Sequence, residues 1–297
     1  MQMTEIFDPE YWSTVWDKHN HTYNAWEQEP GFNPGEMWNK RAKGFAANTV
    51  GKGGSGRWRQ TLDFLQTKMQ LEPGKKVLDI GCGPGSFAIP FAQMGLEVTA
   101  LDPAEQMLVQ LQEYLPEDLS GKITPMLGMW EELDVEKLGW AGQFDLVFAS
   151  MSPGISSQEM LKRMNRCSKG WCYLSTFSGP KVSLLYTEMW RELFGVPLEN
   201  HRLDVIFPFN ALYAMGYAPF ITYMDIDSEQ EQSVAELLEE AKVMVRRSSV
   251  DLSRSGLETE IESFLCSRKD GNGMVRQHRK HTVAMLLWDV NRIRSRG

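Results

Sequence analysis

Val77-Leu78-Asp79-Ile80-Gly81-Cys82-Gly83-Pro84-Gly85-Ser86-Phe87 passes from an apolar strand through a glycine-rich turn into the start of a helix. Glycines in such a turn permit unusual dihedrals and let a ligand lie against the backbone. The helix that follows offers N–H groups and the positive end of its dipole. Two details narrow the ligand. A dinucleotide fingerprint reads GxGxxG/A, whereas the spacing here is GxGxG and Ser86 fills the third-glycine slot. Asp79 stands two residues before the first glycine, where a carboxylate repels a pyrophosphate and suits an ammonium group. S-adenosylmethionine carries an ammonium, a carboxylate and a sulfonium but no phosphate, so the loop fits it better.

Outward from the loop, short apolar runs at 77–80, 98–101, 123–127, 144–149 and 171–177 alternate with helical patterns at 86–94, 104–115 and 158–165. That rhythm predicts a parallel sheet with right-handed crossovers. Further strands are expected at 220–226 and 282–288, and helices at 183–194, 233–247 and 257–268. A helix carrying Leu62, Leu65 and Met69 precedes the first strand and ends at Pro73-Gly74. The second strand ends at Asp102, seventeen residues after Gly85. An acid there accepts ribose hydroxyls; it also reads as the N-cap of a helix opened by Pro103 and Ala104.

Here the sequence resembles the class I S-adenosylmethionine-dependent methyltransferases: VLDIGCGPGSF matches their first motif, LDPAEQML the second and GQFDLVFAS the fourth-strand motif. The motifs cover about residues 58–180. The resemblance implies a three-layer, doubly wound α/β fold whose seven-stranded sheet runs 3-2-1-4-5-7-6, the last strand antiparallel. It implies that Asp79, Gly81, Gly83 and Gly85 surround the methionine moiety, with Cys82 contributing backbone, that Asp102 holds the ribose and that Met107 lies near the adenine edge. It places Met129, Trp130 and Glu131 at the adenine-binding turn, with Ser150 and Met151 flanking the sulfonium. Bland readings stand beside these: Trp130 and Met107 as core residues, Glu131 as a solvated acid and Cys82 as a space-filling residue rather than a nucleophile.

The whole chain has 297 residues, 42% hydrophobic and 24% charged, with a formal charge of −8. This composition suits a globular protein with a sizeable core and disfavours a nucleic-acid partner, which needs a dense basic surface. From Glu240 onward, however, twelve Lys/Arg face seven Asp/Glu, an excess best read as a solvated helical face that keeps a protein or tRNA acceptor open as a minor option. Four cysteines without a CxxC pair (Cys82, Cys167, Cys172, Cys266) predict reduced thiols, a cytoplasmic location and no metal site. No apolar run is long enough for a membrane helix, and the first residues lack the pattern of a secretory signal. Oligomeric state, monomer or homodimer, is open.

Residues 1–55 hold Trp12, Trp16, Trp26 and Trp38 but few aliphatic side chains. Helices are expected at 10–18 and 36–47, separated by a breaker-rich stretch, and a flexible joint at 51–56. This segment reads as a helical cap on one methyltransferase domain at 56–297, itself carrying helical insertions near 178–215 and 228–280. Trp12, Trp16 and Trp26 suggest a lid over a small acceptor; four residues apart on a helix, Trp12 and Trp16 equally form a docking face. After the fourth strand, Ser150-Met151-Ser152-Pro153-Gly154 lacks the Asn/Asp-Pro-Pro-aromatic sequence of the family's nucleic-acid amino-methylating enzymes. A small-molecule acceptor is therefore expected. No general base stands out: His201 is the best-placed histidine, with His19, His21, His278 and His281 behind it. Competing readings are a nicotinamide-dependent oxidoreductase, a cofactor-binding regulatory module, and donation of another group from the same cofactor.

Overall fold

A computed structural model describes residues 5–23, 33–51, 56–198, 204–246, 248 and 255–294. Four helices precede the sheet: α1 (Pro9–Tyr23), α2 (Pro34–Asn39), α3 (Ala42–Thr49) and α4 (Arg57–Gln66). The sheet and its first crossovers follow as β1 (Lys76–Ile80), α5 (Ala88–Gln93), β2 (Glu97–Asp102), α6 (Glu105–Tyr114), β3 (Ile123–Leu127), β4 (Phe144–Ser150), α7 (Gln158–Cys167) and β5 (Ser168–Ser183). The chain continues through α8 (Leu184–Phe194), α9 (Ile206–Ala214), β6 (Phe220–Gln232), α10 (Val234–Arg246), α11 (Leu257–Cys266) and β7 (Val275–Asp289).

The strands form one sheet in the order β3-β2-β1-β4-β5-β7-β6. Strands β1 to β5 pair in parallel, and β7 runs antiparallel to both β5 and β6. That is the order the motif resemblance implied. Alternation along each strand fills two layers. On one face Leu78, Ile80, Val147, Ala149, Leu174, Leu286 and Trp288 pack with residues of α1, α7 and α9. On the other, Val77, Val98, Leu146, Phe148, Tyr173 and Met285 pack with residues of α4, α5 and α6. Because β1, β2 and β4 run parallel, their C-terminal ends gather at one edge of the sheet, where ligands bind in open parallel sheets.

Three expectations change. The helix expected at 36–47 is two helices, interrupted after Asn39. The last three strands outrun their apolar centres: β5 extends to Ser183, β6 to Gln232, and β7 begins at Val275 rather than 282. The added lengths are polar, and cross-strand charge holds them. Lys280 meets Asp227 at 3.0 Å, Arg276 meets Glu231 at 3.3 Å, and His278 also bonds Asp227. The basic excess of the C-terminal region is therefore not simply a helical face; part of it is the outer side of β7, neutralised by acids of β6. Third, the residues between β5 and β7 build a satellite core of their own from α8, α10 and α11, with Tyr186, Trp190, Leu237, Ile261 and Phe264 at its centre.

Candidate cofactor and methyl-transfer site

The loop after β1 uses its glycines for specific reasons. Gly81, Gly83 and Gly85 all have positive φ (72°, 55° and 89°), conformations that a side chain disfavours. A Cβ on Gly81 would also stand 2.5 Å from the Ser152 Oγ. Ser152 comes that close because Met151, just past β4, adopts a left-handed conformation (φ 56°) and donates its N–H to the Ser175 carbonyl at 3.0 Å. A non-glycine residue in this conformation is held there by its surroundings. Met151 thus turns the loop after β4 back over the glycine loop.

Two acids line the turn. Asp102 spans it: its Oδ2 accepts from the Gly83 N–H at 2.8 Å and its Oδ1 from the Ala104 N–H at 2.9 Å. Burial raises its carboxyl to about 6 against the opposing pull of these two N–H groups. Asp102 is not the N-cap of α6; Ala104 is, and the Gln106 N–H of that helix is bound by Asn39 Oδ1 at 2.9 Å. Asp79 is more isolated. It is 2% exposed, and its Oδ2 is buried without a hydrogen-bond partner. Burial first, and then the neighbouring Asp102 charge, pushes it up to about 8. The same surroundings push the Cys82 thiol well above its ordinary value, so it is inert as a nucleophile.

The N-terminal helices cover this edge. Phe45 of α3 lies 3.7 Å from where a Gly83 Cβ would be, and a Cβ on Gly35 would stand 2.5 Å from the Pro103 carbonyl. Met107 packs with Ala42 and Ala104, with Trp38 beside them. Asn39 and Phe45 had no motif to mark them; only the tertiary packing of α2 and α3 on α6 brings them here.

The remaining expected residues divide. Ser150 Oγ lies 3.1 Å from Ser175 Oγ at the C-terminal end of β4. Met129 is partly exposed at the turn after β3. Trp130 is 2% exposed within the core, with Arg163 over its ring at 5.8 Å. Glu131 is raised by burial, and its Oε1 lies 3.5 Å from a Cβ built on Gly154. Trp16 is 1% exposed and stacks on Phe207 of α9 with centroids 6.4 Å apart, which makes it a docking residue, as one of the two readings held. Trp26 and His201 lie outside the described residues. Of the other histidines, His278 is engaged by Asp227, His281 meets the Phe177 ring edge-on at 5.5 Å and His19 packs on Phe207 at 4.5 Å. Among the described residues no His/Cys/Asp/Glu cluster is arranged to hold a metal.

An acid-lined glycine loop with no third glycine suits a ligand that brings positive charge to Asp79 and hydroxyls to Asp102. The buried Oδ2 of Asp79 has no hydrogen-bond partner, and an ammonium such as the methionine end of S-adenosylmethionine carries is a group that would satisfy it. Comparison with known proteins agrees. Residues 77–170 match the family model of the methyltransferase domain. That match covers about a third of the chain and takes in the glycine loop, Asp102 and β4, the stretch whose motifs resemble the class I S-adenosylmethionine-dependent methyltransferases.

Among its relatives, an uncharacterised protein of Haemophilus influenzae is 28% identical over 267 residues, 88% of this chain and 91% of the relative. A malonyl-[acyl-carrier protein] O-methyltransferase of Enterobacter lignolyticus is 32% identical over 151 residues, 49% of this chain and 56% of the relative. A 23S rRNA (uracil-C5)-methyltransferase of Shewanella is 30% identical over 108 residues, 35% of this chain and only 23% of the relative. The chain thus spans about half, or less, of the length of these two methyltransferases. Among solved structures, magnesium protoporphyrin IX methyltransferase of Synechocystis is 17% identical, with 93% of this chain and 98% of that chain covered and a TM-score of 0.45.

Proposed function

We propose that this protein transfers the methyl group of S-adenosylmethionine to a small-molecule acceptor. The acceptor enters where the C-terminal ends of β4 and β5 face the helices that follow. The observation that carries the cofactor half of the reading is the buried Asp79 carboxyl at the glycine loop, whose Oδ2 has no hydrogen-bond partner. In this reading Asp79 takes the ammonium and Asp102 the ribose hydroxyls. Met129, Glu131 and the packed Met107 border the adenine, and Ser150 with Met151 flanks the sulfonium. When bound, the cofactor supplies an electrophilic methyl on a good leaving group. What the chain contributes is alignment and exclusion of water, which for a displacement of this kind supplies much of the rate gain. The left-handed turn at Met151 and the closely opposed Gly81 and Ser152 serve that alignment, because they fix the β4 loop against the cofactor loop.

Three features support a small acceptor. The chain is acidic overall, which opposes a phosphate backbone. The loop after β4 reads Ser-Met-Ser-Pro-Gly, without the Asn/Asp-Pro-Pro-aromatic sequence. The likeness to the rRNA enzyme is confined to 108 residues, 23% of that enzyme's length. No helix among the described residues is long and apolar enough to cross a membrane. Cys82, Cys167 and Cys172 are buried free thiols, in keeping with a reducing, cytoplasmic setting.

The test is an assay of the purified chain with cofactor labelled on the methyl carbon, run against a metabolite panel with product identification. Labelled product from a low-molecular-weight acceptor, with S-adenosylhomocysteine formed in equal amount, is the expected result. Label appearing only in added tRNA, rRNA or protein overturns the acceptor class.

A further inference from the structure

The connection from β3 to β4 carries no helix, so the turn that follows β3 has no helical ladder to hold it. Its backbone anchors are few. The Gly128 N–H donates to the Asp102 carbonyl at 3.1 Å, and the Glu132 N–H to the Met129 carbonyl at 3.0 Å. The carbonyls of Trp130 and Leu133 are met from another element. Arg163 of α7 donates from one nitrogen, Nη1, to both, reaching Leu133 at 3.1 Å. Its guanidinium also lies over the Trp130 indole, 5.8 Å from the ring centre, and that indole is packed in the core with Ile155 and Leu161. Arg166 of the same helix pairs with Glu159, whereas the half-buried Arg163 forms no ion pair among the described residues. One planar group that grips two carbonyls three residues apart, and rests on a ring between them, fixes both the path of the turn and its tilt. Met129 and Glu131, on either side of the anchored Trp130, keep solvent-accessible surface. Desolvation raises the Glu131 carboxyl, and the Arg163 charge is among the influences that draw it back.

We propose that Arg163 is a positioning residue for base selectivity: it does not touch the cofactor, and by holding the 129–132 turn it sets where Met129 and Glu131 meet the purine edge. The proposal rests on the cofactor reading above and deepens it. Without Arg163 the turn keeps the Gly128 and Glu132 contacts, but the Trp130 and Leu133 carbonyls lose the partner they share. A loosened turn still covers a flat ring, yet it no longer holds hydrogen-bonding groups in register with the ring's edge. The exocyclic amine of adenine donates, and a carboxylate accepts; a base with a carbonyl at that position offers only an acceptor, which a carboxylate repels. Arg163 therefore governs which base is taken, while the methionine half is held separately at the loop after β1.

The experiment is calorimetric titration of the full chain, Arg163→Met and Arg163→Lys with two ligands. One is S-adenosylhomocysteine; the other is S-inosylhomocysteine, whose base carries a carbonyl in place of the exocyclic amine. The unsubstituted protein is expected to prefer the adenine ligand roughly 10–100-fold, the worth of a hydrogen bond to a charged group. Arg163→Met is expected to bring the two ligands within about 3-fold of each other, by weakening S-adenosylhomocysteine while S-inosylhomocysteine changes little. Arg163→Lys, which keeps the charge without the fork, is expected to show an intermediate preference and serves alone if the Met variant does not fold. A structural role alone lowers the melting temperature and leaves the preference as it was. An unchanged ratio of affinities in the variants, measured below their melting temperatures, therefore overturns the proposal. So does an unsubstituted chain that binds both ligands equally, because no base selectivity is then present to be set. If the unsubstituted chain binds neither ligand, the cofactor reading itself fails.

Discussion

Replacing Asp79 with asparagine separates what this residue does for the ligand from what it costs the fold. The side chain is buried, one of its oxygens is unpaired, and its carboxyl is raised from 3.8 to about 8 by burial and by the neighbouring Asp102. A carboxyl whose folded value lies above its unfolded one favours the folded state fully only below about pH 4. It loses that contribution progressively as the pH rises toward 8. At pH 7 the fold holds a proton that the unfolded chain would release. With about 1.4 kcal/mol per pH unit over about 3 units, the penalty is about 4 kcal/mol as an upper bound. Asparagine has nearly the same shape and no charge to suppress. Asp79→Asn is therefore expected to melt higher at pH 7, by up to roughly 6 °C for a chain of this size. The gain should shrink as the pH falls toward 4.

The same change removes the partner of the cofactor ammonium, so S-adenosylhomocysteine should bind roughly 10–100-fold more weakly, the range for a hydrogen bond between charged groups. A third readout is specific to this chemistry. Because the free protein holds Asp79 mostly protonated at pH 7, and a bound ammonium favours the ionised form, binding should release most of a proton. Affinity should accordingly rise with pH up to about 8. Titrations in buffers of different ionisation enthalpy measure that proton, and Asp79→Asn should abolish its release. A variant that melts lower, or binds with unchanged affinity and unchanged proton release, refutes the assignment.

Other substitutions probe the surrounding parts. Asp102→Ala frees the Gly83 and Ala104 N–H groups together with the ribose acceptor; a loss of at least roughly 100-fold in cofactor affinity is expected in a binding assay, from several hydrogen bonds removed together. Gly81→Ala should cost about 1–3 kcal/mol in a denaturant titration for its positive φ and its clash with Ser152. Adding Ser152→Gly should return the part of that loss due to the clash, whereas an unaltered deficit would assign all of it to the backbone. Trp16→Ala should cost about 3–5 kcal/mol in stability, as for other buried aromatics, while leaving cofactor affinity near that of the parent; a variant of full stability with a raised acceptor KM would instead restore the lid role.

Much of this was legible in the chain itself, for identifiable reasons. The glycine loop, Asp79 and Asp102 are close in sequence, and a turn of that spacing dictates its own geometry. The order of the seven strands followed from a family resemblance rather than from periodicity, because apolar runs mark strands without saying which lie side by side. The outer halves of β6 and β7 were not legible: they are stabilised by Asp227 with Lys280 and Glu231 with Arg276 across the ladder, and a charged strand looks like a loop until its partner is known. Trp130 shows the converse, since an indole in the core and an indole beside a purine carry the same sequence pattern.

The central claim is that the acid-lined loop after β1 takes S-adenosylmethionine rather than a dinucleotide. Titrating the full chain with S-adenosylhomocysteine and, separately, with NADH at pH 7 tests it most directly. Saturable one-to-one binding of S-adenosylhomocysteine, with no detectable heat from NADH, is the predicted result. Binding of NADH without S-adenosylhomocysteine would contradict the account.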